Sequence, residues 1–133
     1  MTILALIVRH RTIRIAVLNE NNLKRDITFY KVRNLEELVN ILTKSNPNYV
    51  VIVKNFTRYY GETEMLFKLM LELVKKTVPN ASIYTRLKNE IISKLNDLRN
   101  KYQFLANMSV KTHKFLPCVV ALYEYEKVRE KET

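Results

Sequence analysis

The run Ile3-Leu4-Ala5-Leu6-Ile7-Val8 constrains the fold more than any other feature of the chain. Six consecutive apolar residues cannot alternate between core and water, so a strand formed here is covered on both faces. Such a strand needs a sheet with a layer on each side. Ile13, Ile15 and Val17 alternate with Arg14 and Ala16 and predict a half-buried partner, reached through a tight turn at His10-Arg11-Thr12. Asn19 to Asn22 supplies the next turn, in residues that tolerate turn backbones. Ile27 to Val32 alternates again and completes a three-stranded meander.

Asn34 precedes Glu37 by three residues, a capping-box spacing that starts a helix through Leu35, Leu38, Val39, Ile41 and Leu42. Asn46-Pro47-Asn48 ends it. Tyr49 to Val53 is β-branched and apolar and predicts a central strand. A polar loop, Lys54 to Gly61, leads to Met65, Leu66, Leu69, Met70, Leu73 and Val74, spaced as one helix that runs up to Pro79. Ala81 to Leu87 is a shorter fifth strand. Ile91, Ile92, Leu95, Leu98, Tyr102 and Leu105 mark a third helix, and Phe115 to Val128 a last one, with residues 129–133 a charged, frayed tail. The order β-β-β-α-β-α-β-α-α predicts an α/β fold with a mixed sheet. The meander is antiparallel, the later strands are parallel through right-handed crossovers, and helices cover both faces. This is the element order of the RNase H-like fold, in one domain over residues 1–128.

Composition removes several function classes. The single glycine, Gly61, excludes a Walker A loop and a Rossmann GxGxxG turn, both of which need several glycines to bring backbone amides against phosphate. The single cysteine, Cys118, excludes an internal disulfide and a multi-cysteine zinc site, and its apolar neighbours predict a buried thiol. No apolar run reaches the ~18 residues of a membrane-spanning helix. Met1 to Val8 is short, lacks a preceding basic region and runs into Arg9, His10 and Arg11, unlike a signal peptide. The expectation is a cytoplasmic chain, in which Asn55-Phe56-Thr57 is a sequon without consequence. The net charge of +10 favours a polyanionic partner, nucleic acid (DNA or RNA) ahead of acidic protein or a membrane.

Three segments carry a family resemblance across nearly the whole chain. Leu4 to Val17 follows, without a gap, the first-hairpin pattern L-x-L-D-x-G-T-K-R-I-G-V-A-V. Tyr84-Thr85-Arg86-Leu87-Lys88-Asn89 is similar to D-E-R-L-T-T after the fifth strand. His113 to Val120 is similar to D-K-L-A-A-x-x-L opening the final helix. The chain thus resembles the RuvC/YqgF branch of the RNase H-like proteins, the Holliday-junction resolvases. That resemblance implies two divalent metals held by carboxylates, which activate a water and clamp the phosphate. The matching positions here are Ile7, Thr85 beside Tyr84, and His113, so three ligands that the resemblance implies are missing, and no metal or other cofactor is expected.

Cations stand in their place. Arg9, His10 and Arg11 come from the first hairpin, Lys54 and Arg58 follow the fourth strand, Arg86 and Lys88 the fifth, and Lys111, His113 and Lys114 enter the last helix. The resemblance gathers most of these at one end of the sheet, where they would repel Mg²⁺ and attract phosphate. Tyr59 and Tyr60 lie nearby for stacking on unpaired bases. The expected function is a catalytically silent domain that binds nucleic acid, with charge reversal of Arg86 and Lys114 weakening it. A rival reading is a protein-interaction or dimerisation module, with Tyr123 and Tyr125 either on a partner face or at the rim of the core. A third is an active metal-dependent nuclease with relocated acids drawn from Glu62, Glu64 and Glu124. Glu62 and Glu64 read more readily as surface acids at a helix N-terminus, where its dipole favours them. His10 and His113 are the only candidates for metal-free acid–base work. Asp26 and Asp97 complete no Ser-His-Asp arrangement.

Overall fold

The structure, a computed structural model, describes residues 1–9, 12–21, 24–54, 60–112 and 114–132. Five strands form one sheet: β1 (Thr2–Arg9), β2 (Thr12–Asn21), β3 (Lys24–Val32), β4 (Tyr49–Lys54) and β5 (Ser82–Leu87), in the order β3-β2-β1-β4-β5. β1, β2 and β3 pair antiparallel, whereas β4 lies parallel to β1 and β5 parallel to β4. The mixed α/β sheet expected from the sequence is therefore present, with the apolar run of β1 at its centre.

Helices cover both faces. α1 (Leu35–Ser45) and α2 (Tyr60–Thr77) pack on one side, over Leu4, Leu6, Ile13, Ile15, Val50 and Ile52. The other side is taken by α6 (Phe115–Glu132), flanked by the short helices α3 (Lys88–Ile92), α4 (Leu95–Lys101) and α5 (Gln103–Asn107) over Ile3, Ala5, Ile7, Ala16, Leu18, Val51 and Val53. Ile3, Leu4, Leu6 and Ile7 are essentially fully buried. Each contributes roughly 1.5–3 kcal/mol by leaving water. β2 is covered on both faces too, so it is less half-buried than its alternation suggests.

Local chemistry explains the element ends. The Asn34 side chain accepts from the Glu37 amide at 2.9 Å, and Asn46 takes the left-handed conformation (φ 44°) that closes α1. The third helix of the sequence is three helices. Ser93 Oγ donates to the Glu90 carbonyl at 2.6 Å, and Tyr102 has extended φ and ψ between α4 and α5. The apolar spacing survives the breaks, because Ile91, Leu98, Tyr102 and Leu105 all reach the core.

Two further differences bear on function. Tyr60 and Gly61 open α2 instead of ending a loop, and α6 continues through residues 129–132 where a frayed tail was expected. Tyr123 and Tyr125 are 5% and 3% exposed, so they belong to the core and not to a partner face. The whole stretch Val119 to Tyr125 is buried, as a helix apolar all round must be. Cys118 is buried as expected, and burial pushes its thiol up to about 11. Among the described residues no helix is long and apolar enough to cross a membrane.

Candidate nucleic-acid interface

The register of the sheet builds one row on the α6 face near the C-terminal end of β1. Ile7 pairs with Arg14 of β2 on one side and with Val53 of β4 on the other. Arg14 in turn pairs with Lys31 of β3, and Val53 with Arg86 of β5. Partners across a sheet share a face, so Lys31, Arg14, Ile7, Val53 and Arg86 lie side by side. Ile7 and Val53 are buried in the cluster under α6. The row thus has an apolar centre with cations on either side. Arg14 and Lys31 were not among the sequence candidates. Alternation made Arg14 an outward-facing residue, and only the register sets it beside Ile7.

Arg86 is engaged from above. Its Nε and Nη2 donate to the two carboxylate oxygens of Glu124 on α6 at 3.0 and 2.9 Å. Glu124 is 1% exposed, and the pair is bidentate. The hydrogen bonds to Glu124 hold the Arg86 guanidinium above its ordinary range, against the opposing effect of burial. The rings of Tyr84 and Tyr123 lie 5.2 and 6.0 Å from the guanidinium carbon. Arg86 is thus an internal counter-ion, and Glu124, one of the candidate relocated acids, has its carboxylate committed to it.

The other candidates are distributed unevenly. Lys114 precedes α6, exposed, with Nζ 5.7 Å from the Phe29 ring on the same face as Lys31. Lys111 is exposed in the turn before it, and Lys88 is exposed at the start of α3. Lys54 lies on the opposite face of the sheet, half-buried with Nζ 5.1 Å from the Phe67 ring of α2. Glu64 is half-buried in the second turn of α2. His10, Arg11, Arg58, Tyr59 and His113 lie outside the described residues, as do the side chains of Arg9, Tyr60 and Glu62. Asp26 and Asp97 are exposed on β3 and α4. Among the described residues no three carboxylate, imidazole or thiol groups gather closely enough to hold a metal ion.

A five-stranded sheet in the order β3-β2-β1-β4-β5 with helices on both faces is consistent with the RNase H-like fold of RuvC. Two solved structures of Thermus thermophilus RuvC share it, one in complex with a Holliday junction substrate. Their TM-scores are 0.71 and 0.66, each over 98% of this chain and over 96% and 97% of theirs, at 12% identity. Fowlpox virus resolvase, solved with substrate Holliday junction DNA, matches at TM-score 0.56 and 16% identity, over 96% of this chain and 99% of its own. At these identities the likeness is one of fold. No protein-family model and no curated protein matches the chain.

Proposed function

We propose that this chain is a nucleic-acid-binding RNase H-like domain in which the cleavage centre is replaced by apolar and cationic groups. One observation carries the reading: Ile7 is buried between Arg14 and Val53, with Arg86 next in the row. Metal-assisted phosphodiester cleavage needs hard oxygen ligands around the attacked phosphate. Two arginines and two aliphatic side chains do not fit a divalent cation, and no catalytic step is assigned to one. The exposed lysines around that row suit a phosphate backbone instead, and the net charge of +10 adds a long-range attraction for it. The structural neighbours bound to Holliday junctions favour DNA as the ligand. Lys31, Lys88, Lys111 and Lys114 are the described cations offered to phosphate, joined in this proposal by Arg9, Arg11, Arg58 and His113, with Tyr59 and Tyr60 for bases.

The test is a titration of labelled linear and four-way-junction DNA at low and moderate salt with Mg²⁺ present, read by anisotropy and then on a denaturing gel. Binding is expected to fall steeply with salt, by about 0.9 in log–log slope for each phosphate neutralised. The strands stay intact, and Lys111→Glu with Lys114→Glu weakens binding. Cut strands overturn the silent centre, and absence of binding at low salt overturns the nucleic-acid reading.

A second reading has its own observation. Met65 and Leu69, one turn apart on α2, are 67% and 49% exposed. Neighbouring exposed apolar side chains suit a protein contact or a second copy of the chain. Sedimentation at rising concentration separates this reading from the first.

A further inference from the structure

Another group of side chains comes together on the flank of the sheet, below the row of Ile7. Arg25, Ile27 and Phe29 alternate along β3 and so face the α6 side. With Phe104 and Met108 from the α5 region, and Tyr125 and Arg129 of α6, they line an open cleft of about 930 Å³. Its floor is held firmly. The Arg25 guanidinium lies 4.8 Å from the centroid of the Tyr102 ring and 5.4 Å from that of Tyr125. Tyr102 donates its hydroxyl to Glu126, which also accepts from Lys101 at 2.7 Å. A guanidinium stacked on aromatic faces keeps its in-plane N–H donors for other partners. Glu20, the register partner of Arg25, engages the Tyr125 hydroxyl, and among the described residues no ion pair joins a carboxylate to Arg25.

The cleft has a cation toward each end and aromatic surface between. Phe104 is 44% exposed, and Phe29 is half-buried with the Lys114 ammonium over its ring. From Arg25 to Phe29 the strand covers about 13 Å at ~3.3 Å per residue. That length takes no more than about four nucleotides at the ~3.4 Å rise of a duplex strand, and fewer of a stretched one. Cations that follow a backbone, with rings for the bases, are how unpaired strands are held. A duplex hides the faces of its bases, so an exposed ring such as Phe104 serves only an unpaired one.

We infer that this cleft binds a short unpaired segment of DNA, with phosphates at Arg25 and Lys114 and bases on Phe104 and Phe29. The inference rests on the nucleic-acid reading above and adds a site that distinguishes unpaired from paired strands. The full chain is titrated with labelled dT8, rU8 and a blunt duplex. Phe104→Ala and, separately, Arg25→Gln are expected to weaken dT8 binding about tenfold and to leave the duplex within about twofold. Phe104 is exposed enough for its truncation to leave the fold intact, which a thermal melt checks. Undiminished dT8 binding by Phe104→Ala, or equal losses on both ligands, overturns the cleft and leaves the basic surface standing. Tighter binding of rU8 than of dT8 overturns the choice of DNA. A wild-type chain that binds none of the three overturns both proposals.

Discussion

Arg86→Ala is expected to destabilise the fold by about 3 kcal/mol. Both carboxylate oxygens of Glu124 accept from Arg86, at 2.9 and 3.0 Å, and Glu124 is 1% exposed. Without the guanidinium, a buried charge has no counter-ion, a change that costs roughly 3–5 kcal/mol. The Arg86 side chain is 19% exposed, so solvent screens part of the interaction and the lower end applies. For a domain of this length that corresponds to a fall in Tm on the order of 10 °C. Removing both charges has a different outcome. Arg86→Met with Glu124→Leu exchanges the pair for apolar atoms and should return to within about 1 kcal/mol of the wild type. Urea unfolding at neutral pH reads both variants, provided the m-value is unchanged. A loss below about 1 kcal/mol in the single variant, or a double variant no more stable than the single, would refute the reasoning. The pair also decides how binding is tested. Charge reversal at Arg86 sets a second carboxylate beside Glu124, so weakened binding there reports unfolding as readily as a lost phosphate contact.

Two more outcomes follow from ionisable groups, one half-buried and one buried. Burial alone would raise the Glu126 carboxyl, but hydrogen bonds from Lys101 and Tyr102 outweigh it and hold the group below its ordinary value. A carboxyl depressed in the folded state stabilises above its unfolded pKa and loses that contribution as pH falls through the folded value. The advantage of the wild type over Glu126→Gln should therefore shrink between about pH 5 and about pH 3. Urea midpoints at both pH values check this, and a constant gap contradicts it. Cys118, with its thiol raised to about 11 by burial, should react with a thiol reagent at neutral pH only as fast as the chain opens, and at once in urea. Prompt reaction of the native chain would contradict the buried placement.

The element order was legible because its signals are local. An unbroken apolar run, period-2 alternation and a cap at Asn34 each declare themselves within a few residues. The split of the third helix was not, since Ile91, Leu98, Tyr102 and Leu105 keep a helical spacing across breaks made by a side-chain hydrogen bond and an extended Tyr102. The counter-ion of Arg86 lies 38 residues away in sequence. A signal for it did exist: Glu124 is the lone acid within Phe115 to Tyr125, and a charge in a helix buried all round requires a cation. The same stretch argued that Tyr123 and Tyr125 were internal. The flanking cleft draws on β3, the α5 region and α6, and nothing short of the packed structure brings Arg25, Phe104 and Tyr125 together.

The position of β3 at the side of the sheet has a consequence for solubility. Among the described residues, β3 and β5 each leave one line of backbone donors and acceptors without a neighbouring strand, a template on which a foreign strand could grow. β5 is only six residues long and gives way at once to α3. β3 is longer, and along it stand Lys24, Arg25, Asp26 and Lys31, all exposed. A strand added there would have to strip water from these charges, and a second β3 would face cation with cation. Sheet-to-sheet growth into fibrils is therefore disfavoured at both sides.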